Sequence, residues 1–371
     1  MNGYFLHIDL SREIGVNKKI SYQFKELRKT SNVYEITIET TSSILFRILS
    51  RFPFFYPSRY LYSTVLEKIE NPNYLYIRKN MLFDRYFMFF LKKIKKSYPN
   101  CKILVEIPTY PYFKESLLSI SSLPLVLRDF FYSFFCYKYI DRIVTYSMHD
   151  RIFSTKTINI MNGIDLDKVK EKKPSNCYGV ITLIAVAMFS PWHGYERLIK
   201  GLNEYKKMNG TRNVRFILVG NGPELVFYRS LVKQFKLENE VIFKGILKGE
   251  SLDKVYDEAD IGLGVFGMYK KNMLYSSALK TREYLCKGLP VVSGCKEDVL
   301  VKYQNDYYLE FENNCSPVDI SKIIDFYDRL FGNVGNCIES KLNVIKNVRY
   351  FANRYTSMEN SFFPVISFLN E

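Results

Sequence analysis

Along the chain, short continuous apolar runs alternate with stretches in which apolar residues return every three or four positions. Tyr4–Asp9 reads as a buried first strand, and Lys18–Thr30 has helical spacing through Ile20, Phe24 and Leu27. Gly15 falls in the polar loop between them, and Val33–Ile38 alternates as a second strand. A helix is predicted around Phe83–Lys96, closing on lysines that complement a helix C-terminus. Lys102–Ile107 and Arg142–Tyr146 read as further strands, and Ile158–Ile160 leads into the tetrapeptide Asn162–Asp165. A β-α-β opening of this kind suits a doubly wound parallel sheet.

The pattern stops between Asp167 and Tyr178, where the sequence is charged, carries Pro174 and has no period. It then restarts. Val180–Val186 is a continuous apolar strand, as in a sheet covered on both faces. After a loop at Phe189–Gly194 comes a helix over Tyr195–Met208, and Val214–Val219 is a strand ending in Gly220-Asn221-Gly222-Pro223. Val241–Phe243 and Ile261–Val265 are strands around a short helix at Leu252–Asp257. Ser276–Val292 reads as a loop, a helix, and a Gly-Leu-Pro turn into a buried strand at Leu289–Ser293. Late helices are expected at Ser316–Phe331, Glu339–Tyr355 and Phe362–Leu369. The expected division is 1–172, a linker at 173–178, 179–345, and C-terminal helices at 346–371 that return to the first domain.

With 371 residues, two domains of ordinary size are expected. The formal net charge is +15, and the excess is N-terminal: Met1–Lys172 holds 27 Lys and Arg against 16 Asp and Glu. Such an excess suits nucleic acid, anionic lipid or a phosphorylated substrate. No zinc-finger, RNP or basic-zipper pattern appears, which argues against nucleic acid. Ile44–Tyr62 and Leu123–Tyr139 interleave aromatic and basic residues, and neither is apolar enough to span a bilayer. Two readings stand for them: helices resting in the headgroup layer, or buried faces with exposed cations. The chain opens without a signal-peptide pattern, and its seven Cys form no CxxC pair, so reduced thiols in a cytoplasmic protein are expected. Three scattered His argue against a zinc site on spacing.

The stretch Ser276–Val292 carries the densest chemistry. A loop-to-helix junction presents unbonded backbone N–H groups and the positive end of a helix dipole, which suits a phosphate. Glu283, early in that helix, suits sugar or ribose hydroxyls because a carboxylate accepts two hydrogen bonds. The plain alternative is a core helix with an i, i+3 surface pair between Lys280 and Glu283. Gly220 and Gly222 have a comparable alternative as residues that only permit a tight turn. Asp165 and Asp167 spell DxD, a metal signature elsewhere, but its place at the expected hinge argues against metal binding. Glu106 and the Tyr-Pro loop after it lie where parallel sheets place ligands, with packing as the plain alternative, while His7, His149 and Trp192 read as structural.

In order and spacing these segments resemble glycosyltransferase family 4, and within it the bacterial enzymes of capsular, O-antigen and exopolysaccharide assembly. The likeness runs through GVNKKI, EIPTYPY, NGID, WHGYERLI, LVGNGPEL, VIFKGIL and DEADIGLG to SALKTREYLCKGLPVV. It implies a GT-B fold: α/β, with two Rossmann-like doubly wound domains facing across a cleft. Glu283 matches the second Glu of the family's E-x7-E motif, which holds donor ribose; the first falls at Tyr275. Ser277, Ala278 and Leu279 match the loop facing the sugar and diphosphate. The usual diphosphate cations fall at about Ser190 and at His193, beside Gly194, which leaves Lys280 and Arg282 as replacements. Lys244, Gly245 and Ile246 match the segment lining the base, and Gly15 matches the glycine beside the reaction centre.

The resemblance therefore implies a cytoplasmic glycosyltransferase on the inner face of the membrane. It would move sugar from a nucleotide diphosphate sugar to a glycan or lipid-linked acceptor, retaining configuration. No cofactor and no metal are expected, no nucleic acid partner is expected, and an anionic membrane surface is an expected partner. Tyr275 and His193, where the family has charged residues, keep open a non-catalytic donor-binding partner; a sugar-nucleotide epimerase of the same fold is the other alternative.

Overall fold

The computed structural model describes residues 1–9, 14–41, 43–49, 52, 56–79, 83–112, 123–175, 179–332 and 338–371. The chain forms two compact units, one of Met1–Met161 with Met358–Glu371 and one of Asn162–Ser357.

In the first unit the strands are β1 (Asn2–Ile8), β2 (Asn32–Ile38), β3 (Tyr74–Arg78), β4 (Lys102–Ile107), β5 (Arg142–Thr145), β6 (Arg151–Ile152) and β7 (Thr155–Asn159). They order as β2-β1-β3-β4-β5-β7-β6, parallel apart from the β6–β7 pair. The helices are α1 (Ile14–Arg28), α2 (Ile44–Leu49), α3 (Tyr62–Glu67), α4 (Arg85–Ser97) and α5 (Leu123–Cys136). Side chains alternate across a strand, so β1 sends Tyr4 and Leu6 to one core and Phe5 to the other. The first core lies with α3 and α4; the second includes Ile20 of α1 and Phe362, Val365 and Leu369 of the C-terminal helix. Helix α4 begins where Asp84 accepts the Phe87 N–H at 2.8 Å, and it buries Phe87, Phe90, Leu91 and Ile94.

The second unit holds β8 (Val180–Met188), β9 (Asn213–Asn221), β10 (Val241–Gly245), β11 (Ile261–Leu263), β12 (Tyr275–Ser276), β13 (Val291–Ser293), β14 (Lys296–Glu297) and β15 (Tyr308–Glu310). Six of these make a wholly parallel sheet ordered β10-β9-β8-β11-β13-β15, and β12 pairs with β14. Its helices are α6 (Glu196–Lys207), α7 (Leu225–Phe235), α8 (Glu250–Glu258), α9 (Leu279–Lys287), α10 (Asp298–Lys302), α11 (Ile320–Phe331) and α12 (Ile338–Tyr355).

The chain passes between units at 161/162, and not within 173–178. Residues 162–172 are tied into the second unit by hydrogen bonds. The Asn162 N–H donates to Ser277 Oγ at 2.9 Å, Arg349 donates to the Leu166 and Val169 carbonyls, and the Lys172 N–H donates to the Lys287 carbonyl. Of the expected linker, the Lys173 N–H is likewise engaged, donating to Asp257 at 2.7 Å, while 176–178 lie outside the described residues. Only Met358–Asn370 of the late helices belongs to the first unit, while Ile338–Tyr355 stays with the second. Helix α1 starts at Ile14, so Gly15 stands in its first turn and not in a loop.

Candidate functional site

In the second sheet the chain runs from β8 outward through β9 to β10, then returns to the other side of β8 as β11. The C-terminal ends of β8 and β11 therefore flank a topological switch point, the place where open parallel sheets leave room for a ligand. Three segments meet there. They are the loop Phe189–Tyr195 after β8, the segment Gly264–Gly267 after β11, and the N-terminus of α9.

Lys280 joins them. Its Nζ donates to Tyr195 Oη at 2.6 Å and to the Gly264 carbonyl at 2.7 Å. It is not the surface partner of Glu283. Burial pulls the ammonium below the usual lysine range, and Glu297 opposes that pull. Glu297 is itself fully buried and pushed up by burial, with Arg282 acting against the rise. Ala278 caps α9 with extended backbone and makes no side-chain cap hydrogen bond. That turn carries no acidic residue, so an anion at its N–H groups meets dipole and ammonium together. Glu283 is half-buried in the second turn. It stands close enough to Tyr256 and Tyr284 to reinforce the rise that burial imposes on both phenols.

His193 is held neutral. Its Nδ1 accepts the Ser190 N–H at 3.0 Å, its ring stacks 5.7 Å from Tyr195, and burial followed by Lys280 lowers it to about 2. The ring offers an Nε2–H donor but no charge, so it does not replace the expected cation. Arg282 is no replacement either. It is fully buried, donates Nε to the Asn162 carbonyl at 2.8 Å, and is paired with Asp298. The expected pair of substitutes reduces to Lys280.

The glycines have packing reasons to be there. A Cβ on Gly220 would meet the Ala187 carbonyl, and one on Gly222 the backbone of Phe189, so the loops after β8 and β9 lie against each other. Gly194 closes the β8 loop at φ +65°, where a Cβ would stand 2.5 Å from the backbone of Gly267 and Phe266. Lys244, Gly245 and Ile246 are exposed at the end of β10, on the same rim. Ser277 and Ala278 lead into Leu279 at the start of α9, and Ser277 accepts from the backbone N–H and the side-chain amide of Asn162. Gly15 lies after β1, at the first sheet's own switch point between β1 and β3.

Two residues of the candidate site escape a reading of the sequence, Tyr195 and Glu297. Tyr195 scans as a core residue of a helix, and only its hydroxyl, aimed at Lys280, distinguishes it. Glu297 lies next to Asp298 in a polar-looking run that folds into the interior. Elsewhere the candidates settle into structural roles. Glu106 is fully enclosed by Arg78, Lys19 (3.4 Å), Tyr76 Oη (2.7 Å) and Gln23 Nε2 (2.9 Å), which rules it out as an acceptor contact. Burial would raise it, but Arg78 and Lys19 hold it at about 2. His7 bonds Glu35, His149 packs edge-on to Tyr110, and Lys271 lies 3.7 Å over the Trp192 ring. Asp165 pairs with Lys168 at 3.6 Å, and among the described residues no group of three His, Cys, Asp or Glu is placed to hold a metal. Tyr275 is half-buried in β12, with Lys296 5.6 Å from its ring.

Residues 167–297, which hold all three converging segments, match the family model described as glycosyl transferases group 1. No curated protein gives a significant sequence match. Among solved structures, a glycosyltransferase from Rickettsia africae is 13% identical, with a TM-score of 0.61 over 100% of this chain and 97% of that one. Anabaena HepE in complex with UDP and glucose is 14% identical, TM-score 0.61, covering 100% and 99%. A sucrose-phosphate synthase from Thermosynechococcus elongatus is 13% identical, TM-score 0.61, covering 100% and 98%. The fold is GT-B, and the segment that builds the switch-point cluster is the one that supports a group 1 glycosyltransferase.

Proposed function

We propose that the chain transfers a sugar from a nucleotide diphosphate sugar to a lipid-linked glycan acceptor, with retention of configuration and without a metal. The setting would be assembly of a bacterial surface polysaccharide on the cytoplasmic side of the membrane. The observation that carries this reading is Lys280, an ammonium held at an uncapped helix N-terminus beside the switch point. An ammonium has three donors, and two go to Tyr195 and Gly264, which fix its direction. The third, the N–H groups of α9 and the His193 Nε2–H form a donor set for a departing diphosphate. Such preorganised donors stabilise charge as it develops. Glu283 would take the ribose hydroxyls. HepE was solved with UDP and glucose, which makes a UDP-sugar the first donor to try.

A second reading has its own support. Tyr275 stands where the family's first Glu would be and His193 is neutral, which favours a donor-binding partner without turnover. The test incubates the purified chain with a panel of nucleotide sugars and lipid-linked glycans extracted from membranes. Transfer predicts an acceptor heavier by one sugar and an equal release of nucleoside diphosphate. Donor binding with neither product would favour the second reading. Interconversion of the sugar nucleotide without acceptor would replace both with an epimerase.

A further inference from the structure

Helix α5 is turned inside out. Its only charged side chains, Arg128 and Asp129, are buried together with Ser133, while every exposed residue on it is apolar. Those residues are Leu123, Leu127, Phe130, Phe131, Phe134 and Phe135, each between 41% and 58% exposed. The polar side chains are taken up internally. Asp129 accepts the Phe83 N–H at 2.7 Å and pairs with Lys79 at 3.1 Å, and Ser133 bonds the Phe130 carbonyl. The outward rings contact one another, Phe130 with Phe134 at 4.9 Å and Phe131 with Phe135 at 5.1 Å, so they form a plate.

The Arg128 guanidinium lies 3.7 Å over the Tyr56 ring and donates to the Phe52 carbonyl at 3.3 Å. That places the Phe52 backbone beside α5, and the Phe52 side chain is exposed, as are Ile44 and Leu45 of α2. An exposed apolar face of six residues on one helix of a folded unit marks an interaction site. Helix α5 also packs against α4, whose exposed residues are Phe89, Lys92, Lys93, Lys96 and Ser97. Lys138 is exposed just past the end of α5.

We infer that the α5 plate docks this unit on an anionic bilayer, its rings at the level of the headgroups and the neighbouring lysines on lipid phosphates. Aromatic rings flanked by cations are suited to that layer. The excess of 27 Lys and Arg over 16 Asp and Glu in Met1–Lys172 complements an anionic surface. It opposes a two-fold contact with a second copy, which would bring the same lysines together. None of the described helices is long and apolar enough to cross a membrane. The docking is independent of whether the chain transfers sugar, because it is read without donor.

The test is co-sedimentation of the full chain with vesicles of phosphatidylcholine, and of phosphatidylcholine with about one-third phosphatidylglycerol, at low and high salt. Wild type is expected to bind the mixed vesicles at low salt at least about tenfold better than the neutral ones. The double variant Phe131→Gln, Phe134→Gln should bind them at least about tenfold more weakly at an unchanged melting temperature, since both rings are exposed. Wild type that ignores mixed vesicles, or a folded double variant that binds as well as wild type, overturns the inference. So does a dimer in solution that the double variant dissociates while vesicles capture neither protein.

Discussion

The Lys280 ammonium lies 2.6 Å from the Tyr195 hydroxyl, across the switch point of the second sheet. A helix that follows β12 thus delivers its charge to the loop that follows β8. Burial destabilises that ammonium, and under the proposed function an arriving diphosphate would relieve the cost. The pair joins the fold to the proposed chemistry.

Replacing Lys280 by Met removes the ammonium and keeps the apolar stem. Transfer should fall about 10²–10³-fold, the loss seen when one preorganised donor is removed. The melting temperature should stay near that of wild type, because a buried charge is lost along with its bonds. Single-turnover kinetics beside thermal melts check both halves.

Gly194 and Gly245 share a left-handed backbone, φ +65° and +67°. A Cβ on Gly194 meets Gly267 and Phe266 backbone, whereas one on Gly245 meets open space. Gly245→Ala should cost about 1 kcal/mol, the left-handed penalty alone. Gly194→Ala should cost at least about 2 kcal/mol more, because backbone has to move. Urea unfolding of the two variants measures the difference.

His193 is lowered from 6.5 to about 2 by burial first and by Lys280 second. Between those values the unfolded chain binds a proton that the folded chain does not. Stability of the second unit should therefore fall as pH drops below 6.5, by up to about 1.4 kcal/mol per pH unit from this group. His193→Asn keeps an acceptor for the Ser190 N–H and should flatten that slope. An unchanged slope in denaturant titrations would contradict the assignment.

Glu106 acts in the first unit at lower pH. It is held at about 2 against 4.5, so its contribution is present above 4.5 and lost as pH falls towards 2. The size is about 3 kcal/mol. Glu106→Gln should lose about 3–5 kcal/mol at neutral pH, since Arg78 and Lys19 stay buried without a counter-charge. Below pH 4 its stability should depend less on pH than that of wild type.

What the sequence discloses follows from which signals are local. The apolar runs place β4 and β8, and the helical spacing places α12, because burial on both faces or on one stripe is written along the chain. The central strand β3, Tyr74–Arg78, is missed, although its Tyr-Leu-Tyr-Ile run is as continuous as that of β4. Its flanks, with Asn and Pro, look like a loop. Glu283 and Lys280 stand out as candidates by spacing. The partners of Lys280 are not, because Tyr195 and Gly264 are distant in sequence and meet only through parallel strand order. Arg282 looks like Lys280 in sequence, and only the position of Asp298 shows that it is committed to the interior. Likewise the aromatic-basic texture of α5 leaves both faces open, until Arg128 and Asp129 turn out to be the inward ones.

The most direct measurement is calorimetric titration of UDP and other nucleoside diphosphates into wild type, Lys280→Met and Glu283→Ala. The account predicts that wild type binds at least one of them, and that each substitution weakens it by about 10- to 100-fold, or 1.4–2.7 kcal/mol. Wild type that binds none of the nucleotides, or variants that bind as tightly as wild type, would contradict a diphosphate site at the start of α9.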